Sequence, residues 1–283
     1  IQLIQNDTKT CPDTGMAGAS RSLYMDGNAT IIAANKLLAA MRKEDGTLRT
    51  YDEMKAEGIE TKYLGRYETN TTPGLCRLDP NTGIGDPTPA FTYCLNLAEV
   101  EVDTKTGKTT VLKFTCVDFV GRIGNIDAVN GQAYSGIMHG IGFALKEDYA
   151  DVKKHANMFG AGTSYIKDVP DDINLIHIDG AISDGPFGSS GASEAFQASG
   201  HCAVLNGIYN ACGVRIHEIP ALPEKVKAGL DAIAKGEKPY EPKKYFLGSD
   251  MYEELENIKE NPVQVGTQSF YVSLDDPTAE RPF

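Results

Sequence analysis

The chain has no C-x-x-C pair, no block of lysines or arginines, and no apolar run near the roughly 20 residues that a membrane span requires. The first absence argues against a zinc knuckle, and the wide spacing of the six cysteines argues against a disulfide-dense secreted scaffold. Cys94, Cys116, Cys202 and Cys212 lie in apolar runs and are expected to be small buried residues in a reducing, cytoplasmic protein. The second absence, with a formal charge of −12, argues against nucleic acid and anionic membrane as partners and favours plain solubility. No signal-peptide pattern is present. No Gly-Lys-Ser/Thr closes a phosphate loop, and no G-x-G-x-x-G follows a strand with the required acid downstream. Nucleotide hydrolysis and a standard dinucleotide fold are thereby disfavoured.

The 283 residues that are there suffice for one large or two smaller domains. The chain opens at Ile1 in what reads as mid-domain sequence, so it is expected to be a piece of something longer. Ile31, Ile32, Leu38 and Met41 have near-helical spacing, and Thr50-Tyr51-Asp52-Glu53 is a capping box that should start a short helix. Residues 61–68 alternate like a strand, and 69–90 are turn-rich. Residues 97–103, a turn at 104–108, and 109–120 read as a β-hairpin. A glycine-rich helix is expected over 131–145, its internal glycines explained by close packing against a neighbour. A strand is expected over 173–179, an apolar helix from Glu194 to Cys212 ended by Gly213, and an amphipathic helix over 223–235. The tail from residue 236 is charged and proline-rich, and reads as an arm packing on a surface. This is an α+β pattern of mixed sheets and hairpins with helices packed on one face.

Three loops of small residues, 15–22, 121–132 and 185–194, each feed a helix. They are either ordinary turns or the cradle of a long, multiply charged ligand held by backbone N–H groups, with Arg21 offering a fork of donors. The last loop delivers Glu194, a lone carboxylate and candidate general base, to a helix start. Gly188-Ser189-Ser190-Gly191 lacks the spacing of a nucleophile elbow. His201-Cys202 is a poor metal or nucleophile pair, because adjacent helical residues point about 100° apart.

The order of the pieces resembles the C-terminal half of the molybdopterin-binding subunit in the xanthine oxidase and aldehyde oxidoreductase family, and is most similar to the bacterial aldehyde oxidoreductases. The resemblance runs over residues 11–235. It is carried by Ser20-Arg21, Gly27-Asn28-Ala29, the hairpin from Ala98 to Gly107, and Asn125. It continues through Gly131-Gln132, Gly140-Ile141-Gly142-Phe143, Asp184-Gly185-Pro186-Phe187-Gly188, and Gly191 with Glu194, and ends in Gly213-Val214-Arg215 and Ile219-Pro220. The family's usual Gly-Val-Gly-Glu is here Gly191-Ala192-Ser193-Glu194.

The resemblance implies the second molybdenum-binding domain over 1–235, followed by a C-terminal extension over 236–283. It implies a molybdenum–molybdopterin cofactor in the cytosine dinucleotide form, and oxidation of an aldehyde or N-heterocycle with water as the oxygen source. Glu194 matches the base beside molybdenum. Gly191, Ala192 and Ser193 match the loop beside the metal, and Ile123, Asn125 and Gln132 match cofactor-contacting positions. Gly18, Ala19, Ser20, Arg21 and Ser22 match the loop that holds the pyrophosphate. The N-terminal half of the subunit and a [2Fe–2S] electron-transfer subunit or domain are the implied partners, since no cysteine set here suits such a cluster. The competing expectation is a non-catalytic structural or assembly module derived from this family.

Overall fold

The computed structural model describes residues 1–237 except 5, 6, 8, 13, 14, 70–76, 79–84, 87, 89, 152 and 183, together with 257 and 260. The chain divides into two compact units, 1–239 and 240–283, and every element named below lies in the first. The turn-rich 69–90 segment and the tail fall largely outside the described residues.

Helix α1 (Ser22–Met41) is followed by α2 (Tyr51–Ala56), which the expected capping box starts: Thr50 Oγ1 accepts from the Glu53 amide and Glu53 Oε2 accepts from the Thr50 amide. The two-residue strands β1 (Arg77–Leu78) and β2 (Gly85–Asp86) pair antiparallel. The hairpin is β3 (Tyr93–Val102) and β4 (Thr109–Phe119), with a register shift between Glu99 and Val100. After α3 (Ile126–Leu145), β5 (Asp172–His177) adds parallel to β4, giving the sheet order β3-β4-β5. Helices α4 (Ser193–Ala198), α5 (Gly200–Cys212) and α6 (Pro223–Ala234) complete the unit.

The result is an α+β fold with α3, α4 and α5 packed on one side of a small mixed sheet. The inner face presents Val111, Phe114 and Cys116 to Ile137 and Ile141 of α3, Phe196 of α4 and Val204 of α5. Burying such apolar side chains contributes roughly 1.5–3 kcal/mol each. The α3 glycines serve the close packing that their sequence suggests. Cβ atoms built on Gly136 and Gly140 would meet the Phe196 backbone carbon at 2.8 Å and the Gly200 Cα at 2.9 Å.

Four expectations need correction. Residues 61–68 form no strand; the segment lies extended against α1, where Lys36 Nζ donates to the Leu64 carbonyl at 2.9 Å and Gly65 leaves no room for a Cβ beside the Ala29 backbone. The apolar helix of 194–212 is two helices, broken at Ser199 (φ −124°, ψ 1°), whose hydroxyl accepts from Asn96 Nδ2 at 2.9 Å; the break lets Gly200 seat against Gly140. Cys202 is exposed, whereas Cys116 is buried as expected. Helix α3 also starts five residues earlier than its apolar pattern suggests.

Candidate functional site

The three small-residue loops meet. Gly121 bridges to Ser189, the Arg122 amide donates to the Gly188 carbonyl at 2.8 Å, and the Ser190 amide donates to the Val120 carbonyl at 3.1 Å. The first loop is brought in by α1, where Asn28 Nδ2 donates to the Asp184 carbonyl at 3.0 Å and Gly27 packs on Pro186. Gly191 abuts the Ser20 carbonyl so closely that a Cβ there would collide with it. Small residues are thus required where loop backbones touch one another, as well as where they line a space.

Ala19 and Ser20 sit in the left-handed region, at φ 54° and 57°. Such a conformation costs a non-glycine residue roughly 1–3 kcal/mol and persists only where surrounding contacts over-determine it. Here it turns the Ser20 hydroxyl onto Glu194: Ser20 Oγ donates to Glu194 Oε2, and the Glu194 amide donates back to Ser20 Oγ at 3.0 Å. Ser193 Oγ lies 3.0 Å from Ser20 Oγ and donates to Glu194 Oε2 at 3.1 Å. The Ser20 hydroxyl holds the Glu194 carboxyl below its ordinary range against the opposing effect of burial, helped by the Glu194 amide, the Ser193 hydroxyl and the Ala19 amide. A carboxylate with this set of donors is ionised at neutral pH. Ser20→Ala is therefore expected to raise the Glu194 pKa, read as a shift of its carboxyl-carbon NMR titration to higher pH; an unmoved titration would show that Ser20 does not tune Glu194.

These groups edge a cavity of about 310 Å³. Gly191, Ala192, Ser193 and Glu194 form one wall, Gly18, Ser20 and Ser22 a second, and Gln132 of α3 a third. Arg21 lines a separate cavity of about 440 Å³, beside Asp26, Arg66 and Glu68. Two of the expected contact residues also serve the fold: Asn125 caps α3, its Oδ1 accepting from the Ala128 amide at 3.0 Å, and Ile123 packs against the core. Sequence reasoning missed Ala17, Leu23, Ala128, Val129 and Ser190, which also line the smaller cavity. Ala128 and Val129 were within reach, since Asn125 before an apolar run is an N-cap signal that places both on the helical face of Gln132. Among the described residues, no group of three His, Cys, Asp or Glu side chains is placed to hold a metal ion, and no helix is long and apolar enough to cross a membrane.

The sequence profile of the molybdopterin cofactor-binding domain matches residues 1–170. The chain belongs to that family. Its relatives agree with the assignment. The domain is 43% identical over 232 residues to aldehyde oxidoreductase of Megalodesulfovibrio gigas, an alignment covering 82% of this chain and 25% of the relative. It is 30% identical over 248 residues to the probable hypoxanthine oxidase XdhD of Escherichia coli, covering 82% of this chain and 26% of that protein. The solved aldehyde oxidoreductase of Desulfovibrio desulfuricans superposes on it with a TM-score of 0.74 at 45% identity, over 80% of this chain and 24% of that one. The domain therefore spans about a quarter of the length of the molybdenum oxidoreductases it matches.

Proposed function

We propose that this chain is the Glu194-bearing part of a molybdenum hydroxylase that oxidises an aldehyde or an N-heterocycle with water as the oxygen source. One observation carries the reading: a family member holds an ionised carboxylate, fixed by two serine hydroxyls, at the edge of a cavity of about 310 Å³. The donor set suits a pterin. The Gln132 amide can both donate and accept, the serine hydroxyls adapt to either role, and the small-residue backbone allows close approach. The cavity lining offers hydroxyl, amide and carboxylate groups but no cysteine, and this chain would use them to hold the pterin frame. Molybdenum, when bound, supplies the two-electron oxidising centre. Glu194 would accept a proton there as a general base, its carboxylate oriented by the Ser20 and Ser193 hydroxyls. Arg21, at the larger cavity, suits the diphosphate of a dinucleotide form, because a guanidinium matches phosphate oxygens in pairs.

The catalytic unit is assigned to 1–235, with 236–283 as an extension. Electrons would leave through [2Fe–2S] clusters on a partner subunit or domain. A reducing, cytoplasmic setting is part of this proposal, on the wide spacing of the cysteines along the chain, although Cys94 and Cys116 meet with their sulfurs 3.4 Å apart. The missing partner half is supported by the outer sheet face. Tyr93, Leu95 and Leu97 of β3 are 65%, 55% and 57% exposed, and Ile176 of β5 shares their face. A one-sided sheet ordinarily turns polar residues to water, and an exposed apolar face marks a docking surface. We assign that face to the N-terminal half of the molybdopterin subunit. Leu95→Glu should then destabilise the intact enzyme by more than about 2 kcal/mol, read as a lowered thermal midpoint; a solvent-facing position would tolerate the change within about 0.5 kcal/mol.

The deciding experiment is metal analysis of the intact, purified assembly. Molybdenum in stoichiometric amount with this chain supports the proposal. Its absence from a fully assembled complex would leave the three loops as packing devices in a non-catalytic module.

A further inference from the structure

A second set of polar side chains lies outside the cavity. Asp118, near the end of β4, is completely buried, and parallel pairing sets it beside His177 of β5. His177 Nδ1 lies 2.6 Å from Asp118 Oδ2, and its Nε2 lies 2.8 Å from Asn130 Oδ1 in the second turn of α3. Burial pushes the Asp118 carboxyl up, while the hydrogen bond and charge of His177 pull it down. Asp118 Oδ1 has no partner among the described residues. A buried polar chain of this kind is a weak source of net stability, since apolar side chains of equal volume serve as well or better. Its value lies in specificity: it can be satisfied in one arrangement only.

That arrangement concerns α3. Helix α3 approaches α4 and α5 closely through Gly136 and Gly140, and the buried Ile137 and Ile141 anchor its middle and later turns in the core. Nearer its start, where the core contacts are the small Ala133 and the partly buried Val129, Asn130 adds a polar fixing point to the end of the sheet. At 3.6 residues per turn it lies about 200° round the helix from both Ala128 and Gln132, and these two residues line the cavity. One side of the first turns is therefore pinned to the end of the sheet while the opposite side faces the cavity.

We propose that Asp118, His177 and Asn130 form a positioning network that sets the rotation of α3 and thereby places Gln132 at the cavity. The inference rests on the reading of that cavity as a molybdopterin site. None of the three residues lines the cavity; they act through Gln132.

The test uses the intact enzyme and measures how fast molybdenum is lost on dialysis, together with the thermal midpoint. Asn130→Ala keeps the helix and removes the partner of His177 Nε2, whereas Asn130→Asp keeps an oxygen at that position. Gln132→Ala and Asn130→Ala are each expected to speed cofactor loss about tenfold, the scale of one hydrogen bond. The double variant should be no faster than the faster single one, because both changes remove the same contact. Asn130→Asp should return close to the parent rate. Additive effects, parent-like retention in Asn130→Ala, or equal loss in Asn130→Ala and Asn130→Asp would overturn the inference while leaving the molybdopterin reading intact. Parent-like retention in Gln132→Ala would overturn both the assignment of Gln132 to the cofactor and the inference built on it.

Discussion

Glu194→Gln in the intact enzyme is expected to lower turnover by about 10²–10⁴-fold while leaving molybdenum content unchanged, the range that a positioned general base contributes. The substitution preserves size and the ability to accept from the Ser20 and Ser193 hydroxyls, so the loop should keep its form. What it removes is the negative charge and the capacity to take a proton. The lowered pKa of Glu194 makes the sign clear: the carboxylate is already ionised at neutral pH, so the loss should appear across the whole neutral range and not at one edge of the profile. Metal analysis and turnover measured on the same preparation decide the matter. Near-normal turnover in a fully metallated variant would remove Glu194 from the chemistry and return the loop to a packing role.

A pair of alanine substitutions in α3 should move stability in opposite directions. Gly131→Ala is expected to stabilise the intact protein by about 1 kcal/mol, because alanine is the better helix former and a Cβ there meets nothing within 4 Å. Gly136→Ala has the same helical advantage but drives its Cβ to 2.8 Å from the Phe196 backbone carbon. Overpacking typically costs about 1–3 kcal/mol, so the net effect is destabilising. Phe196 is two residues beyond Glu194 in the same short helix. Gly136→Ala should therefore also reduce turnover, whereas Gly131→Ala should not lower stability. Thermal midpoints of the two variants check the signs; a stabilised Gly136→Ala would mean that α4 moves away freely.

Much of the fold was legible because its signals are local. The alternation of the hairpin, the Thr50–Glu53 capping box and Gly213 in the left-handed region after α5 (φ 77°) all act over a few residues or one helix turn. The failures are non-local. Residues 61–68 have the alternation of a strand, but among the described residues they pair with no strand, and α1 takes the segment instead. The stretch 194–212 has a helical pattern throughout, yet the hydrogen bond from Asn96 and the approach of Gly140 to Gly200 break it at Ser199. No spacing rule joins Asp118, Asn130 and His177, because sheet pairing brings two of them together and helix packing the third.

The site divides in the same way. The sequence by itself determined that Glu194 stands alone in a small-residue loop and that two similar loops exist, since composition and order are written along the chain. Only the tertiary structure decided that the loops pack on one another, that Asn125 caps α3 and Ile123 packs on the core, and that Gln132 lines the cavity. It also decided the direction of the Glu194 shift. Burial and hydrogen bonding oppose each other at any carboxylate in a fold, and which one wins depends on donors within about 3 Å. Here the decisive donor is Ser20, 174 residues away along the chain, and only folding brings it there.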